Sequence, residues 1–329
     1  MKILALVLAG GEGTRLYPLT AEHSKPAVPF VNGFRIVDFV LSNLVNSGLT
    51  EIYVLAQYKP DSLIRHIDKV WSGVLRHRKG FIRPLLPRPS GGEAYFRGTS
   101  DAVYQNIDLI HVHKPDLVAV FAADHVYRMD VGQMVGFHNA VNADVTVAAV
   151  PVPVEKASAF GIIAASATGE IRQFQEKPRF AASIPGDPAQ AYASMGNYLF
   201  DPDVLIGLLQ AADLTGGTDF GRDILPRLPA RSRIYAYDFG KNYVPGVQAH
   251  EERAYWRDVG TLDALSAAQS DILGATPLFD LANPHWPIRG EHAHPARRIA
   301  QPARTAVAQL DIPVLTENRS MPQQGLATG

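Results

Sequence analysis

Leu8-Ala9-Gly10-Gly11-Glu12-Gly13-Thr14-Arg15-Leu16 is the stretch on which the fold turns. The apolar run that enters it, Ile3 to Leu8, is short, continuous and stopped by glycines, the pattern of a buried strand. A strand that runs into a glycine-rich turn is a common seat for phosphates, because glycine lets backbone N–H groups come close to an anion. Gly10, Gly11 and Gly13 form that turn, with Thr14 beside them. Arg15 offers a forked cation suited to phosphate oxygens, and Lys25, in Ser24-Lys25-Pro26-Ala27, adds a second. The stretch lacks a Gly-Lys-Ser/Thr ending, and Leu16 stands where a dinucleotide fingerprint has its third glycine. On these residues alone, a plain glycine turn with two solvated cations is the competing explanation.

The chain has 329 residues, enough for one large α/β domain with an appendage or for two domains. It is 47% hydrophobic and 19% charged with a net charge of −1, as in a soluble globular protein and unlike a general nucleic-acid binder. It contains no cysteine, which excludes disulfides, thiol nucleophiles and thiolate metal sites and is compatible with a reducing cytosol. The opening apolar run is too short for a signal core or a membrane span, and no internal repeat is visible. The expectation is a cytoplasmic protein with neither membrane nor nucleic acid as partner.

Farther along, helical spacing over Val40–Gly48 and 61–70 alternates with strands at 52–56 and 116–122. Gln57 follows one of these strands, where ligands bind in open α/β sheets. Its amide could read a base edge or simply close a turn. Residues 79–100 are rich in Gly, Pro and Arg and suggest a mobile active-site loop that passes into one helix over 99–112. Gly98 and Thr99 would leave that helix start open to a ligand, and Asp101 falls in its first turn. Asp124 ends a central strand and suits Mg²⁺, which takes one or two carboxylates plus phosphates and water. His125 suits Mg²⁺ less well, since that ion prefers oxygen. After residue 151 a hairpin forms around Thr168-Gly169, and strands and helices alternate again to 273, with one helix beginning at Asp219-Phe220-Gly221-Arg222-Asp223. Asp258 is a candidate second carboxylate, and Trp256 could stack on a sugar. Beyond 275 periodicity is lost, which predicts a strap partly packed on the domain and a disordered end from Thr316.

Gly-Gly-x-Gly-Thr-Arg-Leu followed by Lys-Pro-Ala-Val-Pro resembles the signature of the sugar-nucleotide pyrophosphorylases. Further segments narrow the resemblance to the ADP-glucose pyrophosphorylase family. They are Gly98-Thr99-Ser100-Asp101-Ala102-Val103-Tyr104-Gln105-Asn106, Ala123-Asp124-His125-Val126-Tyr127, Ala193-Ser194-Met195-Gly196 and Tyr255-Trp256-Arg257-Asp258-Val259-Gly260-Thr261. The resemblance implies an α/β fold: a Rossmann-like nucleotidylyltransferase domain with a mixed, mostly parallel central sheet over 1–274, then a short irregular C-terminal strap over 275–329. It implies ATP and glucose 1-phosphate as substrates and Mg²⁺ as cofactor. Arg15, Lys25 and Asp124 would be catalytic, and Asp124 and Asp258 would hold the metal. Gly10, Gly11, Gly13, Thr14, Gln57, Gly98, Thr99 and Asp101 would bind ATP. Gly161, Glu176, Lys177, Ser194, Tyr198, Asp219, Phe220 and Trp256 would surround glucose 1-phosphate. No protein nucleophile is needed, because a phosphate oxygen of glucose 1-phosphate attacks the α-phosphorus of ATP, and since that phosphate is already ionised at neutral pH no strong general base is required.

Four departures from the family pattern stand out. The family continues into a left-handed β-helix whose repeats are not seen here. Gly33 replaces a lysine. The segment Leu86 to Gly92 is shortened. His23 replaces an arginine before Ser24-Lys25. The first three lead to an expectation of reduced allosteric control, the fourth falls near catalysis and bears on activity and its pH dependence, and a homo-oligomer or association with a full-length paralogue is left open. Competing expectations are a sugar-1-phosphate nucleotidylyltransferase of different base or sugar, a non-catalytic sugar-nucleotide-binding paralogue, and a fragment that needs a partner to fold.

Overall fold

The strands run, in chain order, β1 (Ile3–Ala9), β2 (Glu51–Ala56), β3 (Phe81–Leu85), β4 (Leu117–Ala122), β5 (His125–Tyr127), β6 (Val145–Pro153), β7 (Gly161–Ala165), β8 (Ile171–Glu176), β9 (Gln190–Phe200), β10 (Ile234–Asp238) and β11 (Trp256–Asp258). The helices are α1 (Ile36–Asn46), α2 (Pro60–Val70), α3 (Thr99–Tyr104), α4 (Asp108–His113), α5 (Val131–Ala140), α6 (Pro202–Leu214) and α7 (Leu262–Ile272). The computed structural model describes residues 1–88, 94–228 and 232–291.

The main sheet has the order β10-β6-β9-β4-β1-β2-β3, with β7 paired to β9 and β8 to β7. β1 pairs in parallel with both β2 and β4, as do β2 with β3 and β6 with β10. β9 runs antiparallel between β4 and β6. The fold is therefore a mixed, mostly parallel Rossmann-like sheet, as expected from the sequence.

Covering both faces explains why β1 reads as an unbroken apolar run rather than an alternating one. Ala5 and Val7 face a core shared with α1, α2 and α5 through Val40, Leu44, Leu63 and Met134. Leu4 and Leu6 face the other core, shared with α3, α4 and α6 through Val103, Ile110, Leu205 and Leu209.

The first turn of α1 is tied down by Asp38, which is fully buried. Its Oδ2 accepts the Arg35 backbone N–H at 2.8 Å, and its Oδ1 accepts from His66 Nε2 at 2.7 Å and Trp71 Nε1 at 2.8 Å. These bonds satisfy the carboxylate and lock α2 against α1. A third apolar cluster joins α7 to Phe30, Phe34 and Phe39 and includes Phe279, Leu281 and Ile288 from beyond residue 275. Trp286 Nε1 donates to Asn43 Oδ1 at 3.1 Å, and Asn46 Nδ2 donates to the Pro287 carbonyl at 3.0 Å. Through Glu291 the strap thus packs on the domain.

Three local expectations are corrected. Within 79–100, residues Phe81–Leu85 form an edge strand, where Pro84 is tolerated because the sheet needs no N–H on its open side. The single helix over 99–112 is two short ones, α3 and α4; at the break Asn106 Nδ2 turns back to the Ala102 carbonyl at 2.9 Å. The helix anticipated after Asp219 is one wide turn, Phe220–Ile224, capped by the Asp219 side chain. Most of the shortened Leu86–Gly92 loop, and the tail including the end from Thr316, lie outside the described residues.

Candidate active site

The site forms where β1, β2 and β4 end. Gly13 has φ +67°, and a Cβ there would stand 2.9 Å from Lys25 Cβ. Glycine at this position therefore lets the phosphate-loop backbone lie against the lysine. Thr20 Oγ1 donates to the Gly13 carbonyl at 3.1 Å, closing the turn. The single helical turn Thr14–Leu16 buries Leu16 and leaves Arg15 on the rim of a cleft, with no ion pair among the described residues. Lys25 starts a turn of its own, whose Ala27 carbonyl accepts from Arg35 Nη1 at 2.8 Å.

Asp124 lies between β4 and β5, one residue past Ala123 and directly before His125. β5 and β11 pair antiparallel with His125 opposite Asp258, so a three-residue ribbon carries the second carboxylate to the first. Lys25 Nζ lies 3.0 Å from Asp124 Oδ2 and 3.3 Å from Asp258 Oδ1. Burial works against the lysine's charge, but the two carboxylates outweigh it and raise its pKa above the ordinary value. Burial likewise would raise the Asp124 carboxyl, yet His125 and Lys25 hold it down at about 2. His125 Nε2 is 3.2 Å from Asp124 Oδ1, and its ring packs on Trp256 at 5.0 Å between centroids. One donor atom each from Asp124, His125 and Asp258 lie within 4.8 Å of one another. Two carboxylates in a cleft wide enough for phosphates and water fit Mg²⁺.

Two cavities meet at this centre, one of about 1400 Å³ and one of about 270 Å³, sharing Leu8, Thr99, Ala122 and Asp124. The larger is lined by Arg15 and Asp258 and by Gly161, Glu176, Lys177, Ser194, Tyr198, Asp219, Phe220 and Trp256. The smaller is lined by Gly10, Gly11, Lys25, Gln57 and Gly98. Gly13, Thr14 and Asp101 line neither.

Local packing explains these placements. A Cβ on Gly161 would meet the Phe174 ring at 2.5 Å, and one on Gly221 would meet Glu176 Oε2 at 3.2 Å, so both glycines make room for the Glu176 carboxylate. Asp219 Oδ2 accepts from Thr99 Oγ1 at 2.9 Å, which fixes the α3 start to the far wall. Gly98 lets α3 approach Thr218, whose carbonyl oxygen a Cβ would meet at 2.4 Å. The Phe220 and Tyr198 rings pack tilted by 35° with centroids 5.6 Å apart, and burial pushes the Tyr198 hydroxyl pKa up.

Two residues assigned to ATP are occupied by the protein itself. Gln57 Nε2 donates to the Phe96 carbonyl at 3.3 Å and its Oε1 accepts the Phe96 N–H, so both ends of the amide clamp the returning chain. The Asp101 carboxylate is buried and accepts from the Arg97 backbone and side chain and from Gln105.

Sequence reasoning missed Gly260 and Asn197. A Cβ on Gly260 would come within 3.1 Å of both Arg15 Nη2 and Asp258 Oδ1, so the missing side chain keeps these two groups in reach of one space. The signal was a glycine two residues after a candidate ligand. Asn197 is fully buried; its Oδ1 accepts the Ala122 N–H at 3.2 Å and its Nδ2 donates to Tyr127 Oη at 3.1 Å, tying the backbone before Asp124 to a side chain after it. A buried amide on an antiparallel neighbour strand leaves no local signal.

The sequence profile of the family described as Nucleotidyl transferase matches residues 4–274. With this sheet and this pair of cavities, the chain belongs to the nucleotidyl transferases and is an enzyme of that kind. Among curated relatives, the glucose-1-phosphate adenylyltransferase of Thermodesulfovibrio yellowstonii is 48% identical over 317 residues, 96% of this chain and 76% of that protein. Those of Thermus thermophilus and Mycobacterium marinum are 48% and 50% identical, over 88% of this chain and 71% and 72% of theirs. The chain's place within the class is among the glucose-1-phosphate adenylyltransferases.

Proposed function

We propose that this protein transfers the adenylyl group of ATP to α-D-glucose 1-phosphate, forming ADP-glucose and pyrophosphate, with Mg²⁺ held by Asp124 and Asp258. The observation that carries the proposal is the meeting of a small, largely apolar-walled pocket and a large cleft of mixed polar and apolar lining at one acidic centre. The small pocket takes adenine, with the phosphates over Gly10 and Gly11 and within reach of Arg15 and Lys25. The large cleft takes glucose 1-phosphate: Glu176 and Asp219 face the sugar hydroxyls, Lys177 pairs with the phosphate and Trp256 packs on the sugar. Bound Mg²⁺ would supply neutralisation of charge on phosphate oxygens.

The chain's own contribution is position and charge. Holding the sugar phosphate oxygen in line with the α-phosphorus turns a bimolecular step into a nearly unimolecular one. Arg15 and Lys25 stabilise the negative charge that builds on the departing pyrophosphate. The attacking oxygen carries no proton at neutral pH, so no general base is required.

The finer parts of the proposal are glucan synthesis in the cytoplasm and weak allosteric control. Support for the latter comes from Gly33, whereas His23, whose pKa burial and Arg35 lower, stands beside the catalytic Ser24-Lys25 turn and bears on catalysis. No helix among the described residues is long and apolar enough to cross a membrane.

Chromatography of reactions with both substrates tests the proposal. ADP-glucose and pyrophosphate should appear in equal amounts and only when both substrates are present. Absence of ADP-glucose at saturating substrate and Mg²⁺ would overturn it.

A further inference from the structure

Lys25 is not a surface lysine that has drifted onto an acidic pair. The residue is 7% exposed, and the packing of Gly13 on its Cβ fixes its stem. Its turn is closed by the Val28 N–H to the Lys25 carbonyl at 3.2 Å and held from outside by Arg35. The ammonium sits between one oxygen of Asp124 and one of Asp258, at 3.0 and 3.3 Å. Those carboxylates approach closely because the β5–β11 ribbon forces them together, and without a cation between them they would repel.

A divalent ion taking these carboxylates must share their oxygens with a positive charge already seated there. The carboxylates are partly open to water, at 38% and 33% exposed, but the ammonium between them is buried, and like charges at such distances oppose each other. The lysine also lines the small pocket on the side of Gly10 and Gly11, so an anion arriving there offers the ammonium a second partner.

We propose that Lys25 occupies the divalent cation's place between Asp124 and Asp258 in the free protein, so that the cation enters together with a nucleotide whose phosphates draw the ammonium away. The lysine therefore has two successive tasks: to keep the carboxylates paired before substrate arrives, and to bind phosphate afterwards. The inference rests on the adenylyltransferase proposal for the second task, whereas the first concerns this chain's own residues alone.

Binding of Mn²⁺ without nucleotide, followed by electron paramagnetic resonance, tests it. Lys25→Met keeps the length of the side chain and removes its charge; Lys25→Arg keeps the charge. Lys25→Met should bind Mn²⁺ at least threefold more tightly than the wild type, and Lys25→Arg should show no such gain. A smaller change, or weaker binding by Lys25→Met, overturns the inference. If Lys25→Met is unfolded without metal, Mn²⁺ should restore its melting transition, and failure to restore it equally overturns the inference. Pyrophosphate release by the wild type from ATP and glucose 1-phosphate is scored separately. Tighter Mn²⁺ binding with no release would keep the internal cation and reject the adenylyltransferase; release without tighter binding would do the reverse.

Discussion

Gly13 and Lys25 share one small volume, and that crowding gives the site its shape. Gly13→Ala would place a Cβ against the lysine at a φ of +67°. The strain should cost about 1–3 kcal/mol and misplace Lys25. Melting temperature and turnover should therefore both fall, with turnover the more affected. Asp124→Asn, in contrast, preserves volume and removes the charge at the centre; turnover should drop about 10²-fold or more while the melting temperature changes little. Near-normal turnover at saturating Mg²⁺ would contradict the role given to Asp124. At this scale, the residue types that carry chemistry were legible in the sequence: glycines at a strand end, paired cations, two carboxylates. The commitment of Gln57 was not, because its partner is the backbone of Phe96, reached only after the chain leaves the sheet and returns. Asp101 misled for a related reason, since a carboxylate in the first turn of a helix looks the same whether it faces a ligand or an arginine.

Among the elements, the β5–β11 ribbon does most to build the site, and it depends on what braces it. Arg128, just past β5, pairs with Glu251 at 2.8 Å; their side chains are 5% and 1% exposed. Arg128 also stacks on Phe279 and donates to the Asp280 carbonyl. Burial would raise the Glu251 carboxyl, but the N–H groups of Asp280 and Gln248 and the Arg128 charge outweigh it and hold the pKa below the ordinary value. A depressed carboxyl stabilises the fold above its unfolded pKa, and that contribution is lost as pH falls through the folded value. Glu251→Gln should therefore cost about 3–5 kcal/mol at pH 7, since it leaves a buried guanidinium unpaired. The stability gap to wild type should narrow as urea titrations are taken below about pH 4. A gap that stays constant or widens in acid would contradict this. β5 and β11 escaped sequence reading because three residues carry no period and their pairing is purely tertiary. The long buried strands and α1 were legible because their burial is written into consecutive apolar residues.

For the whole molecule, the family profile stops at residue 274, but the core does not. Phe279, Leu281, Trp286 and Ile288 are buried against α1, α7 and the Phe30–Phe39 region. Fully burying each side chain contributes about 1.5–3 kcal/mol. A chain ended after Gly274 should accordingly melt far below one ended after Glu291, or fail to fold, in a calorimetric comparison. Equal melting temperatures would show the strap to be dispensable. The sequence signalled a strap but not how much it buries, because spaced single apolar residues among prolines have no regular period. The mixed, mostly parallel character of the sheet was legible only through the family resemblance, and its strand order was not legible at all, since strand pairing across more than a hundred residues leaves no trace in local pattern.

The central claim is that the two cavities meeting at Asp124 take ATP and glucose 1-phosphate. The measurement that tests it most directly is pyrophosphate release by purified protein with Mg²⁺ and glucose 1-phosphate, across ATP, dTTP, UTP, GTP and CTP. Release is expected with ATP and little with the others. Preference for another nucleotide would keep the fold and the in-line chemistry but contradict the adenine pocket. No release from any nucleotide, with glucose 1-phosphate or ADP-glucose still raising the melting temperature, would contradict catalysis and leave a sugar-nucleotide-binding protein.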